Sequence, residues 1–199
     1  MVIVSDNARA VQPFYGPNLT ISNANIGALL YTGGWGAAGL QWHHNWLHDA
    51  SEKCLRGDDQ SENMTVHHNV IFNCGKAPVT DARSETAGYG VVLKGNGHVA
   101  YANTVYAAEA EEWCLSNCVE KLKAFRPQYQ PRQMQNTRSH FFNSIGANMS
   151  GACECNKTTP PGGKFEGWYH GSDLDLRDPE HFDFRPTPQS RLVKGGVVV

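Results

Sequence analysis

The chain contains the stretch Leu40-Gln-Trp-His-His-Asn-Trp-Leu-His-Asp-Ala50 and, 24 residues further on, the stretch Met64-Thr-Val-His-His-Asn-Val-Ile-Phe-Asn-Cys74. Large apolar residues match at positions 40 and 64, 42 and 66, and 47 and 71, and the tripeptide His-His-Asn is identical in both. A fixed offset with matching apolar positions is typical of a solenoid, in which each residue lies about 4.8 Å from its counterpart in the next coil.

Two later segments carry the same Asn-x-apolar core, which extends the repeat. They are Ala100-Tyr-Ala-Asn-Thr-Val105 and His140-Phe-Phe-Asn-Ser-Ile145. We expect the asparagines to occupy equivalent turns, because Asn tolerates a left-handed backbone and its amide can bond along a ladder. We also expect Leu47, Ile71 and Val105 to form one buried stack that Ile145 extends. An antiparallel β-sandwich with turns every 8–12 residues is the alternative, and the constant 24-residue spacing argues against it.

The units at 40–50, 64–74 and 98–106 resemble the parallel β-helix repeats of the right-handed β-helix, or pectin-lyase-like, superfamily. The segment Asp183-Phe-Arg-Pro-Thr-Pro-Gln-Ser-Arg-Leu-Val193 is similar to the closing segment of such proteins. The resemblance implies an all-β, right-handed parallel β-helix as a single domain over residues 1–199, which could be a fragment of a longer chain. Coils are expected at about 18–106 and 139–147, with a closing segment at 168–199.

Residues 107–138 interrupt the repeat and are expected to form an insertion. The segment 107–125 has apolar residues at 114, 115, 118, 122 and 125, with acidic residues first and basic residues later. This spacing and charge order are typical of an α-helix. We therefore expect a short helix there, followed by a polar loop.

The charge composition excludes several classes of partner. Lys and Arg number 17 against 19 Asp and Glu, which gives a net charge of −2, and charged residues make up 18% of the chain. There is no basic run, so we expect no nucleic-acid partner. No apolar stretch is long enough to span a membrane, and a monomer is expected.

Cysteines and sequons indicate an oxidising compartment. The chain has six cysteines and four Asn-x-Ser/Thr sequons, and its first ten residues show no signal peptide. We expect an extracellular or cell-surface glycoprotein that has lost its leader. Six cysteines allow fifteen pairings, and the sequence does not choose among them.

Arg56 and Lys94 occupy similar places in the elements Cys54-Leu-Arg-Gly-Asp58 and Val92-Leu-Lys-Gly-Asn96. The polysaccharide lyases of the superfamily abstract the proton α to a uronate carboxylate, which requires a cation and a base. We expect Arg56 to neutralise the carboxylate and Lys94 or His68 to take the proton. Two solvated residues beside glycine turns are the alternative.

The histidines of the repeat are the second set of candidates. His43 and His67 should stack in adjacent coils, as should His44 and His68, and we assign His43 and His67 to substrate binding. The cluster could also hold a metal ion together with Asp49, or it could be a purely structural ladder.

Asp58 and Asp59 resemble the paired aspartates of polygalacturonase-type hydrolases, but the Gly-His-Gly of those enzymes is missing at Gly95-Asn-Gly-His98. We assign the two aspartates to a metal, a calcium ion that bridges a uronate, and otherwise require no cofactor.

The expected function is binding of an acidic, uronate-containing polysaccharide and its cleavage by β-elimination. A non-catalytic extracellular module for adhesion or glycan binding is the first alternative, and a polygalacturonase-type glycoside hydrolase is the second.

Overall fold

The computed structural model of this chain describes residues 2–11, 20–22, 25–32, 38–50, 53–57, 61–75, 88–106, 108, 111–115, 136, 138–146, 149–150, 162–167 and 176–190. These residues form short strands, and a single turn of 3-10 helix at Pro179–His181 is the helical segment among them. The described part of the protein is therefore all-β.

Six of the strands form a parallel sheet. Its strands are β2 (Thr20–Ser22), β4 (Gln41–His43), β7 (Thr65–His67), β10 (Val99–Tyr101), β13 (His140–Phe142) and β15 (Lys164–Glu166). They lie side by side in chain order. Each strand contributes three residues, of which the middle one points into the protein, as the burial of Trp42, Val66, Ala100 and Phe141 shows.

A second parallel sheet holds nine strands. They are β1 (Val2–Val11), β3 (Asn25–Thr32), β5 (Trp46–His48), β6 (Lys53–Gly57), β8 (Val70–Phe72), β9 (Tyr89–Leu93), β11 (Thr104–Tyr106), β12 (Glu111–Leu115) and β14 (Met149–Ser150). The long strand β3 pairs with β5 through its first residues and with β6 through its last residues. Strands β5 and β6 thus follow one another along the same coil.

Each coil passes from a strand of the six-stranded sheet through a tight turn to the second sheet. Strand β4 pairs in parallel with β7, and β5 pairs with β8, at the constant offset of 24 residues. The parallel pairing confirms the repeat and excludes an antiparallel sandwich for these segments. Stacked parallel sheets connected in this way are compatible with a β-helix.

The core is a single cluster between the sheets. Leu47, Ile71 and Val105 are each 0% exposed and stack on successive strands, as the sequence predicted. Leu55, Val91 and Trp113 form a further row on β6, β9 and β12. Because strand side chains alternate between two faces, each coil places every second residue in this core.

The tight turn between the sheets differs from our prediction in one respect. The left-handed residues are His44, His68, Ala102 and Asn143, with φ of 55°, 53°, 52° and 49°. Asn45 and Asn69 come one residue later and are buried. The amide ladder is confirmed, but Asn is placed for its hydrogen bonds and the preceding residue provides the left-handed backbone.

The alignment of the 140–145 segment was wrong by one residue. Ala100 pairs with Phe141 and not with His140. Ser144 therefore occupies the ladder position that corresponds to Asn103, and Asn143 occupies the turn position that corresponds to Ala102. Ile145 then bridges Thr104, not Val105. A buried aromatic residue opposite Ala100 outweighs the match between the asparagines, because the middle residue of each strand faces the core.

The expected helix at 107–125 was wrong where the structure describes it. Residues 111–115 form β12, which pairs in parallel with β9, and residues 116–125 lie outside the described part. Trp113 and Leu115 alternate into the core, and the indole N–H of Trp113 donates to the carbonyl of Ile145 over 3.1 Å. Pairing with an existing sheet edge overrides the helical pattern of the isolated segment.

A disulfide joins two neighbouring coils. Cys54 in β6 is bonded to Cys74 after β8, and both residues are buried. Cys114 is also disulfide-bonded. Cys118, Cys153 and Cys155 lie outside the described residues. Disulfide bonding is compatible with an oxidising, extracellular compartment.

The C-terminal part of the described chain is a hairpin. Strand β16 (Leu176–Asp178) pairs antiparallel with β17 (Asp183–Pro186), and the 3-10 turn connects them. Phe184 is 9% exposed and contacts the outward rings of Trp46, Phe72 and Tyr106. The hairpin is therefore fixed to the side of the coils by aromatic packing. Among the described residues, no helix is long and apolar enough to cross a membrane.

Candidate functional site

The outer face of the six-stranded sheet carries a row of stacked rings, which we call the ring row: His43, His67, Tyr101 and Phe142. These residues are the third positions of four successive paired strands. Their ring centroids are 4.8, 4.7 and 5.0 Å apart, and the ring planes differ by 11°, 2° and 3°. Each ring covers the face of the next, so His43, His67 and Tyr101 present mainly ring edges to the outside, whereas Phe142 is buried.

A second, shorter row lies beside the first at the turn. His44 and His68 are exposed, and their rings stack in parallel with centroids 4.9 Å apart. The left-handed turn directs these two side chains to the same side as the ring row. Four imidazoles therefore form a compact cluster over two coils.

Within each coil, the two histidines share a hydrogen bond. The Nδ1 atoms of His43 and His44 are 2.9 Å apart, and those of His67 and His68 are 2.8 Å apart. One Nδ1–H must donate to the other Nδ1, so the two rings of a pair are in opposite tautomers while both are neutral. The Nε2 atom of one ring is then an acceptor and that of the other a donor.

Two of the four imidazoles, those of His67 and His68, have lowered pKa values, which favours their neutral forms. Burial, together with the neighbouring His43, His68 and His44, lowers the pKa of His67 from its ordinary 6.5 to about 4. The pKa of His68 is also lowered, first by burial and then by His44 and His43. No other described residue forms a hydrogen bond with the Nε2 atoms of the four histidines or with the Tyr101 hydroxyl. These groups are available to an external partner.

The row ends in a charged group. Glu166 follows Phe142 in register, accepts from Nε2 of His140 over 2.8 Å, and contacts Nζ of Lys164 at 2.7 Å. Hydrogen bonds from Lys164 and His140 lower the pKa of Glu166. Glu166 is therefore ionised at pH 7 and is neutralised by its own neighbours.

The structure does not bring Arg56 and Lys94 together as equivalent residues. In the paired strands Arg56 is opposite Val92, and Gly57 is opposite Leu93, so the two basic residues differ in register by two positions. Lys94 is 1% exposed, whereas Arg56 is partly exposed on the nine-stranded sheet. His68 lies in the turn that follows β7, beside the six-stranded sheet. The predicted trio is thus divided among three environments.

The glycines that follow the two basic residues have different surroundings. Gly57 lies in β6, where an added Cβ would meet Sδ of Met64 at 2.8 Å. Gly95 lies in a turn with φ of +100°, where an added Cβ would meet the Ser61 carbonyl oxygen at 1.9 Å. The Gly95 contact is with backbone and requires glycine, whereas the Gly57 contact is with the end of the flexible Met64 side chain. The two glycines lie at different points of the coil, and matching them by sequence misaligned the basic residues.

The metal assignment to Asp58 and Asp59 stays a prediction. Asp58 and Asp59 lie outside the described residues. Within the described part of the chain, no group of three or more His, Cys, Asp or Glu side chains is placed to hold a metal ion. The histidine cluster instead satisfies its Nδ1 atoms by paired hydrogen bonds.

Sequence reasoning missed Tyr101 and Phe142 as members of this face. Tyr101 could have been found, because it is two residues before Asn103, as His67 is before Asn69. Phe142 was hidden by the one-residue error in the 140–145 alignment. No protein-family model, curated protein or solved structure matches this chain.

Proposed function

We propose that this chain is a right-handed parallel β-helix protein of the pectin-lyase-like type and that its ring row, together with His44 and His68, binds a polysaccharide. The observation that carries the proposal is the regular repeat of outward ring edges at His43, His67 and Tyr101, whose centroids are 4.8 and 4.7 Å apart on successive strands. A linear array of equivalent groups matches a linear polymer of equivalent units, and this pitch is comparable to the length of one sugar residue in an extended chain.

The hydrogen-bonding character of the surface supports a hydroxyl-rich ligand. Each histidine pair offers one donor and one acceptor at Nε2, and Tyr101 adds a phenol group that both donates and accepts. Sugar hydroxyls also donate and accept, so they complement such a surface without any net charge. Stacked rings offer edges and not open faces, so we assign the affinity to hydrogen bonds and not to sugar–ring stacking.

A uronate-containing chain remains the preferred substrate class, because the pair of His67 and His68 can take up a proton. The Nδ1–H···Nδ1 contact of this pair persists when the unprotonated Nε2 of its donor ring is protonated, which places a cation beside a bound carboxylate. Binding of a polyanion would raise the lowered pKa values of His67 and His68, and the same linkage requires affinity to increase as the pH falls from 7 towards 5. A neutral polysaccharide should show no such dependence.

The experiment is calorimetric titration with oligogalacturonate and with a neutral oligosaccharide of the same length. We expect the double variant His67→Ala/Tyr101→Ala to bind roughly tenfold or more weakly, since several hydrogen bonds are lost. His181→Ala is the matched control, because His181 is an exposed histidine on the C-terminal hairpin that contacts Asp178 instead. Equal binding by the double variant and the wild type would refute the proposed surface.

Cleavage by β-elimination is a separate step, for which His68 is the remaining candidate base on this surface. A lowered pKa keeps its imidazole unprotonated at pH 7, which is the form that accepts a proton. Absorbance of unsaturated uronate products tests this step directly, and loss of that signal in His68→Gln would support it.

The non-catalytic alternative is favoured by one observation. Lys94 is buried and lies away from the ring row, and Lys164 at the end of the row is paired with Glu166, so neither lysine is placed to neutralise a uronate bound along the row. If oligogalacturonate binds without producing any unsaturated product, the protein is a glycan-binding module.

A further inference from the structure

A cavity of about 360 Å³ lies where the C-terminal hairpin meets the coils, away from the ring row. Its described lining residues are Asp49, Phe72, Asn73, Tyr106, Pro179, Glu180 and Phe182. This volume is within the range of about 300–1,000 Å³ that small-molecule sites occupy. Two separate parts of the chain build it, because the coils provide one wall and the 3-10 turn of the hairpin the other.

The polar groups among the described lining residues of the cavity are acidic or neutral. Asp49 comes from the coils and Glu180 from the hairpin, and no lysine or arginine is among the described lining residues. Two carboxylates from opposite walls favour a ligand that carries a positive charge, and they oppose a uronate.

The coil wall is held in a fixed arrangement. Nδ1–H of His48 donates to the Asp49 carboxylate over 2.6 Å, and the Asn73 amide donates to the other oxygen of the same carboxylate. Asp49 and Asn73 are equivalent residues of adjacent coils, and both have a left-handed backbone, with φ of 53° and 57°. This preorganisation lowers the entropic cost of binding.

The aromatic groups give the cavity an apolar side. Phe182 is 57% exposed, although its ring lies 5.2 Å from that of Phe72. It has φ of 65°, a backbone conformation that is uncommon for a bulky residue and that holds the ring at this position. An exposed ring beside carboxylates is complementary to a ligand with an apolar C–H face and polar edges.

We propose that this cavity binds an amino sugar residue with a free, protonated amine. The ammonium group would lie between the carboxylates of Asp49 and Glu180, the hydroxyls would bond to Asn73 and Tyr106, and the C–H face of the sugar would lie against Phe182. The site differs from the ring row in both its position and the charge it selects. It does not depend on the function proposed for that row.

The test is titration of the wild-type chain with the tetrasaccharide of glucosamine, with its N-acetylated counterpart and with tetragalacturonate. We expect the glucosamine tetramer to bind and the other two to bind at least tenfold more weakly at this site, because they lack the ammonium group. Glu180→Gln should weaken glucosamine binding by roughly tenfold or more, since Glu180 is exposed and its replacement leaves the fold intact.

Asp178→Asn is the matched control. Asp178 is an exposed carboxylate of the same hairpin, it pairs with His181, and it does not line the cavity. Binding should be unchanged in Asp178→Asn. The proposal is overturned if glucosamine tetramer does not bind, if Glu180→Gln binds it as well as the wild type does, or if the N-acetylated tetramer binds equally.

Discussion

Asn45 and Asn69 are joined side chain to side chain although 24 residues separate them: Nδ2 of Asn45 donates to Oδ1 of Asn69 over 3.0 Å. Asn69 repeats the contact with Asn103 over 2.9 Å, and also donates to the carbonyl of Trp42 over 2.9 Å. The Asn69 amide therefore bonds to buried groups of the preceding coil and of the following one. The ladder links the turns that carry the histidine cluster.

Replacing Asn69 by Ala should destabilise the protein by about 2 to 4 kcal/mol, because several buried donors and acceptors lose their partner at once. Chemical denaturation measures the change. His68→Asn is the neighbouring control and should leave stability unchanged or slightly higher, since Asn accepts a left-handed backbone readily. If Asn69→Ala costs no more than His68→Asn, the ladder does not stabilise the turns.

Replacing Ile71 by Asp should cost about 3 to 5 kcal/mol, since Ile71 is 0% exposed and an unpaired carboxylate would enter the core. The thermal midpoint should fall accordingly. Val70→Asp places the same charge one residue earlier, on the outward side of β8, and should be much milder. Equal losses in the two variants would contradict the inward position of Ile71.

Replacing Gly95 by Ala should cost about 2 kcal/mol or more. The added methyl group would lie 1.9 Å from the Ser61 carbonyl oxygen, and φ of +100° is unfavourable for alanine. Ala102→Gly is the opposite change at a left-handed turn residue and should be close to neutral. If the Gly95→Ala protein unfolds at the same denaturant concentration as the wild type, the turn can accommodate a methyl group without loss of stability.

Stability should decrease between pH 6.5 and pH 4 because of His98. This histidine is 0% exposed, its Nε2–H donates to the Lys94 carbonyl over 2.7 Å, and its Nδ1 accepts from the Met64 N–H over 3.3 Å. Burial lowers the pKa of His98 from 6.5 to about 4. As the pH falls through this window, the unfolded chain binds a proton that the folded protein does not bind, so up to about 3 kcal/mol of stability is lost.

The variant His98→Gln isolates this effect, because a glutamine amide can both donate to Lys94 and accept from Met64 but does not titrate. The stability difference between wild type and variant should change by about 3 kcal/mol between pH 7 and pH 4. A difference that stays constant with pH would mean that His98 is not the group responsible.

Several features of the fold could be predicted from the sequence because they repeat at a constant offset. The strand register can be derived from the matching apolar residues at positions 40 and 64, 42 and 66, and 47 and 71. In-register parallel strands place equivalent residues of successive coils next to each other. The stacking of His43 on His67 and of His44 on His68 follows from the same offset. No partner outside the two coils is needed to derive these contacts.

Tertiary structure decided the rest, because the relevant contacts join segments whose separation is not constant. Strand β12 became a strand because β9 offers it a parallel edge, and Phe141 took the place opposite Ala100 because the core requires a side chain there. The cavity at Asp49 and Glu180 exists only where the hairpin meets the coils, and neither segment carries a sequence pattern that indicates the other. The repeat determined the local register of the coils, and packing between non-repeating segments determined which polar groups meet.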